Sequence, residues 1–140
     1  MIIGYTNGYF DLFHIGHLNL LRRAKSLCDT LMVGVISDEE CQKRKGKTPI
    51  IPLKDRYSIV SEIACVDRAY IVDLDDKIIE WKTYRFNKLF VGSDHQNTET
   101  WNDWEIKFKR LGVDIIYLPY TREVSSTKIK LRIIDEAAKI

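Results

Sequence analysis

The chain has 140 residues, 45% of them hydrophobic and 30% charged, with a formal net charge of +2; such a composition describes one ordinary globular domain, residues 1–140, that buries roughly 68% of its unfolded surface. So small a net charge gives no reason to expect a nucleic-acid partner, and no apolar run approaches the roughly 18 residues of a membrane span. Cys28, Cys41 and Cys65 are odd in number and lack CxxC spacing, and the N-terminus lacks the basic stretch and apolar core of a secretion signal, so free thiols in a cytoplasmic protein are expected.

Apolar runs alternate with helix-like stretches along the chain. Ile2–Thr6 reads as a first strand, and the turn Gly8–His17 leads into a helix striped by Leu18, Leu21, Ala24 and Leu27. The second strand, Thr30–Ile36, is apolar on both faces, as a central parallel strand should be. Helices at Asp55–Cys65, Asp75–Phe86 and Trp101–Leu111 alternate with strands at Arg68–Val72, Lys88–Gly92 and Val113–Pro119. A last helix starts near Ser125 and carries Ile129, Ile133, Ala137 and Ile140 on one face. This alternation predicts an α/β fold of the Rossmann-like, doubly wound kind, with a five-stranded parallel sheet and helices on both faces. Ligands of such sheets bind beyond the carboxyl ends of the strands, where Gly8–His17, Gly92–Asp94 and Tyr120–Thr127 would meet.

Three constellations carry chemistry. His14 and His17 stand three apart where strand gives way to helix, which points both imidazoles to one face beside first-turn N–H groups that have no acceptor. Donors, helix dipole and imidazoles together suit an anion, above all the phosphates of a nucleotide. Zinc fits less well: metalloprotease helices space their histidines at i, i+4 around a glutamate, and no third ligand is evident. Lys43 to Arg56 holds six basic residues and one acid. Gly46-Lys47-Thr48 looks like the end of a P-loop, but Cys41 stands where that motif needs glycine and Pro49 opposes the following helix. The segment is therefore expected to be a mobile basic loop whose Lys45 and Lys47 close over phosphates, with Arg56 facing the same anions. Ser125, Ser126 and Thr127 crowd a helix start followed by Lys128, Lys130 and Arg132. Capping explains one hydroxyl; cations that oppose the helix dipole call for a bound anion.

Gly8-Tyr-Phe-Asp-Leu-Phe-His-Ile-Gly-His17 resembles the G-x-F-D-x-x-H-x-G-H signature of the small HxGH nucleotidylyltransferases, and Val124-Ser-Ser-Thr-Lys-Ile129 resembles the tail of their second signature, R-T-E-G-I-S-T-T-x-I. Within that superfamily the chain is most similar to the cytidylyltransferases, in particular the bacterial glycerol-3-phosphate cytidylyltransferases. The resemblance implies transfer of CMP from CTP to a phosphorylated small alcohol, a glycerol phosphate, giving a CDP-glycerol-type precursor of cell-wall or capsule polymers and pyrophosphate. It implies a homodimer and a Mg²⁺ or other divalent ion; no carboxylate cluster stands out to bind one, so the ion is expected to be held mainly by the nucleotide phosphates and water, with no metal-ligating residue assigned. It places Tyr9, Phe10, His14, His17 and Lys47 against the CTP phosphates, Ser125, Ser126 and Thr127 against the β- and γ-phosphates, and Gly92 and Asp94 near the cytidine. His14, His17, Lys45 and Lys47 would be the catalytic set, with Lys45 and Arg56 on the acceptor phosphate.

The chain departs from the family pattern where the signature arginine is Tyr120 and its glycine Glu123, at Ala64 where an arginine is common, and at His95 where an aromatic residue is usual. These positions concern triphosphate and acceptor contacts, so the same chemistry with phosphocholine, phosphoethanolamine, a phosphonate or ATP stays open, as does a non-catalytic nucleotide-binding module. Arg122 is expected to turn inward in place of the missing arginine, with Tyr120 packing at the base of its loop. Trp101 and Trp104, at i, i+3, are expected to pack rather than to cage an ammonium group.

Overall fold

The computed structural model describes residues 1–139. Its sheet is parallel, in the order β3-β2-β1-β4-β5, built from β1 (Ile3–Gly8), β2 (Thr30–Ile36), β3 (Arg68–Val72), β4 (Lys88–Gly92) and β5 (Asp114–Leu118). The connecting helices are α1 (Ile15–Ser26), α2 (Asp38–Lys45), α3 (Leu53–Ser61), α4 (Lys77–Tyr84), α5 (Glu99–Arg110) and α6 (Ser126–Ala138). Leu21 and Ala24 of α1 and Val60 of α3 pack on Leu31, Val33 and Phe90, while Tyr5, Leu89 and Val91 pack on Phe86 and on Phe108 of α5. Each face of the sheet thus has its own apolar core, as the doubly wound expectation required.

Two elements differ from expectation. The basic segment is helical up to Lys45: Ser37 caps α2 by accepting from the Glu40 N–H, Asp38, Glu39 and Glu40 fill the first turn, and Lys43, Arg44 and Lys45 fill the last. Acids at the amino end and bases at the carboxyl end complement the helix dipole. Gly46 then ends the helix at φ 70°, a conformation that costs other residues strain. The apolar stripe of α6 does not face the core either: Ile133 is 58% exposed, Ala137 is exposed, and only Ile129 is partly covered. Ile140 lies outside the described residues.

The sheet opens at one seam. β1 runs beside β2 from Ile3↔Thr30 to Gly8↔Val35, but meets β4 only at Gly4↔Lys88 and Tyr5↔Leu89. Past that point the strands part, and the Thr6 hydroxyl donating to the Phe90 carbonyl at 3.0 Å bridges the start of the gap. This is the point where the winding order reverses, so the gap is the natural ligand cleft of the fold.

Arg56 does not face an acceptor phosphate. It is 1% exposed, and its guanidinium donates from Nε to the Ile51 carbonyl at 2.8 Å, from Nη1 to the carbonyls of Tyr9 and Ile36 at 2.6 and 2.9 Å, and from Nη2 to Asp38 at 2.5 Å. Carbonyls at and just beyond the strand ends have no ladder partner there, and a planar five-donor fork satisfies several at once. Replacing Arg56 by Met should therefore cost roughly 3–5 kcal/mol by stranding those oxygens and Asp38, lowering the calorimetric melting temperature by on the order of 10 °C. An unchanged melting temperature would contradict this structural role.

Candidate active site

The Gly8–His14 loop is bent hard enough that Phe10 and Leu12 take left-handed φ values of 53° and 50°, uncommon for such side chains. The bend brings His14 to the cap of α1. Its Nδ1 accepts the Gly16 N–H at 3.0 Å, and His17 Nδ1 reaches back to accept the His14 N–H at 3.2 Å. The rings stack 3.8 Å apart at 26°, with Phe10 and Phe13 behind His17 at 5.4 and 5.2 Å. A Cβ at position 16 would lie 2.8 Å from the His14 ring, which is why glycine separates the pair. A nitrogen that accepts carries no proton, so the network assigns both rings the neutral form with hydrogen on Nε2. Burial lowers the pKa of His14, and burial together with His14 pushes that of His17 down to about 4. At neutral pH both rings are uncharged donors.

Beside His17 lies a pocket of about 210 Å³, lined by Lys45, Lys47, Thr48, Lys130, Ser126 and Thr127 among others. Asp11 organises it. Its carboxylate accepts the N–H groups of Ile50 and Ile51 at 2.8 and 2.9 Å and pairs with Lys130 at 3.4 Å. Burial would raise the Asp11 pKa, but those two N–H bonds and Lys130 outweigh it and hold the group ionised below its usual range. Lys45 rests over the Tyr9 ring at 4.5 Å. The three hydroxyls divide the work: Ser125 accepts the Lys128 N–H as the cap of α6, Ser126 donates to the Asp11 carbonyl at 2.6 Å, and Thr127 stays exposed at the pocket. Phe10 is buried and serves as floor and backing rather than as a free contact.

The gap between β1 and β4 continues this pocket into a cleft of about 840 Å³. One end is aromatic, with Trp101, Trp104, His95 and Tyr120 around Gly92; the other is polar, with Asn7, Arg44, Asp75 and Lys77. The tryptophans do pack on the core, as expected, yet each also lines the cleft. Tyr120 lies across Gly92 so closely that any Cβ there would collide with its ring. Burial and the Asp94 carboxylate push the Tyr120 pKa up to about 12. Asp94 itself is exposed beside Tyr120 and His95 and does not line the cleft. Arg122 does not turn inward: it is exposed and lines neither pocket, and its carbonyl, accepting Lys128 Nζ at 2.8 Å, ties the loop back. Tyr120 reaches the cleft wall instead. Asn7, Asp75 and Lys77 escaped sequence reasoning because they follow no spacing; only the approach of the β3–α4 loop to β1 gathers them.

Among the described residues no helix is long and apolar enough to cross a membrane. Residues 5–132 match the model of a family described as cytidylyltransferase-like. The bifunctional protein HldE of Helicobacter pylori strain P12 is 39% identical over 98 residues, covering 69% of this chain and 21% of HldE. That of Caulobacter vibrioides is 37% identical over 94 residues, covering 66% and 20%. The chain thus corresponds to about a fifth of these relatives. A lipopolysaccharide core biosynthesis protein from Thermoplasma volcanium GSS1 superposes with a TM-score of 0.73 at 27% identity, over 89% of this chain and 99% of that one. Pantoate-beta-alanine ligase from Francisella tularensis, at 16% identity, shares the fold with a TM-score of 0.65 over 94% of this chain and 68% of that one. With a family match from residue 5 to residue 132, and with both of its signature segments converging on one cleft, the chain belongs to the cytidylyltransferase-like family of nucleotidyltransferases.

Proposed function

We propose that this protein transfers a nucleotidyl group from a nucleoside triphosphate, CTP on the sequence resemblance, to the phosphate of a small polyhydroxy acceptor. The observation that carries this reading is the pair of capping, neutral imidazoles that both line the cleft, with His17 also lining the pocket formed by the lysines and the start of α6. An acceptor phosphate oxygen attacks the α-phosphorus, the bond from that phosphorus to the bridging oxygen breaks, and pyrophosphate leaves. The attacking group is already ionised, so the reaction needs no protein nucleophile and no general base. It needs two anions held in line and charge stabilised on the leaving group. His14 and His17 supply Nε2–H donors to the α- and bridging oxygens, and Lys45 and Lys47 offset repulsion between the substrates. The Thr127 hydroxyl, which makes no hydrogen bond among the described residues, lines the pocket and would take the β- and γ-phosphates. Any divalent ion would be held mainly by phosphates and water, since among the described residues no three acidic, histidine or cysteine side chains converge and Asp11 already spends both oxygens.

The resemblance favoured a glycerol phosphate as acceptor. Similarity to HldE and to a lipopolysaccharide core biosynthesis protein supports a sugar phosphate instead. A cleft of about 840 Å³ lies toward the large end of the roughly 300–1,000 Å³ usual for small-molecule sites and suits two substrates side by side.

Pyrophosphate release tests this reading directly. CTP and ATP are each offered with hexose 1-phosphates, glycerol 3-phosphate, phosphocholine, phosphoethanolamine and a phosphonate. Fastest release is expected from CTP with a sugar phosphate. Release led by ATP overturns the donor assignment, and no release from any pair leaves a nucleotide-binding module.

The histidine pair also sets a pH dependence. Free His17 would bind a proton near pH 6.5, whereas folded His17 does so only near 4, so between these values the unfolded chain holds more protons. Stability contributed by the neutral ring is complete above pH 6.5 and is lost as pH falls toward 4. From pH 6.5 to 5 the loss should be on the order of 1–2 kcal/mol, read from urea midpoints. A His17→Gln variant should lose most of that slope; equal slopes in both proteins would contradict the assignment.

A further inference from the structure

The β3–α4 side of the cleft, across the seam from Trp101 and Tyr120, has no part in the chemistry above. Asp75 is the centre of that wall and is clamped from every side. Its N–H donates to Glu40 at 2.5 Å, its carbonyl accepts from Arg44 Nη2 at 2.5 Å, and its Oδ1 accepts from Asn7 at 2.9 Å and Lys77 at 2.5 Å. The side chain is only 16% exposed. Among the described residues Oδ2 receives no hydrogen bond; Arg44 Nε stands 4.0 Å away. Behind it Glu80, 3% exposed, uses Oε1 for Tyr5 and Asn7, while its buried Oε2 has no hydrogen-bond partner among the described residues and Lys77 Nζ lies 3.8 Å off.

The cluster mixes signs. Arg44 and Lys77 stand against Asp75 and Glu40, with Glu80 buried behind them, and both cations are already paired, so the wall favours neither a free ammonium nor a second phosphate. What it presents is a fixed acceptor oxygen beside a fixed donor nitrogen. A hydroxyl both gives and takes a hydrogen bond, and neighbouring hydroxyls of a polyol match such a pair. Bonds to charged partners on a half-buried wall are also stronger than neutral ones in water.

We propose that Asp75, positioned by Asn7, Lys77 and Arg44, recognises the hydroxyl-bearing body of the acceptor. One hydroxyl donates to Asp75 Oδ2 and a neighbour accepts from Lys77, while the acceptor phosphate lies toward Lys45. The inference rests on the acceptor reading above and gives it a specificity residue: a site built around hydroxyls rejects analogues that lack them, because its polar groups are then left unpaired.

Asp75→Asn is compared with the parent protein using the best acceptor of the panel, propyl phosphate as the hydroxyl-free control, and calorimetric binding of CTP with Mg²⁺. The acceptor KM should rise about tenfold or more, preference over propyl phosphate should fall by a similar factor, and kcat and CTP affinity should stay within about threefold. If Asp75→Asn fails to fold, Lys77→Met carries the same readouts. Unchanged preference overturns the inference, and so does a loss of CTP affinity as large as the loss for acceptor. A parent protein that uses only phosphocholine or phosphoethanolamine overturns it while leaving nucleotidyl transfer intact. A parent that releases no pyrophosphate defeats the transfer reading and this inference together.

Discussion

Every α-helix begins with N–H groups that its own backbone cannot satisfy, and here two imidazoles do the satisfying. His14 caps Gly16 and His17 returns to cap His14, so each ring gives up Nδ1 to the backbone and keeps its proton on Nε2. Much of the surrounding structure serves that exchange. Gly16 is the residue that leaves room for the His14 ring, the left-handed Phe10 and Leu12 turn the chain into position, and Phe10 and Phe13 pack behind His17. The same burial that orients the rings keeps them uncharged. A helix cap thereby becomes a pair of aimed hydrogen-bond donors.

The cleft that receives those donors comes from a second constraint, the parting of β1 from β4 beyond Tyr5 and Leu89. Loops at an open sheet edge would be mobile without ties, and buried charge supplies them. Arg56 gathers three carbonyls with Asp38, Asp11 holds the segment that follows Lys47, and Glu40 holds Asp75. None of these side chains is free to meet substrate with all its atoms. Their work is to place Lys45, Lys47 and the one carboxylate oxygen of Asp75 that receives no hydrogen bond among the described residues.

Much of this was legible in the sequence, because periodicity and motif spacing report local structure. The alternation of strand and helix, the histidine pair at i, i+3 and the hydroxyls opening α6 depend on neighbours in the chain. α2 was not read from the sequence, which suggested a mobile basic loop: the Ser37 cap and the acidic-to-basic order are there, but the helix lacks the apolar stripe by which helices are usually recognised. Burial of charge was not legible. Arg56 reads as one more cation of a basic loop until two strand ends are seen to need its donors. Arg122 reads as a substitute for a missing arginine until Lys128 is seen to hold its carbonyl and leave its side chain exposed. Asn7 lies on β1 while Asp75 and Lys77 lie where β3 passes into α4, and these segments meet only when the sheet forms.

The account turns on the protonation of two rings, and nitrogen-15 NMR of the histidine side chains at pH 7 reads it without reference to any substrate. Long-range couplings should show an unprotonated Nδ1 and a protonated Nε2 in both His14 and His17. Hydrogen on Nδ1 of either ring, or an imidazolium pattern at that pH, would contradict the cap and the donor geometry built upon it.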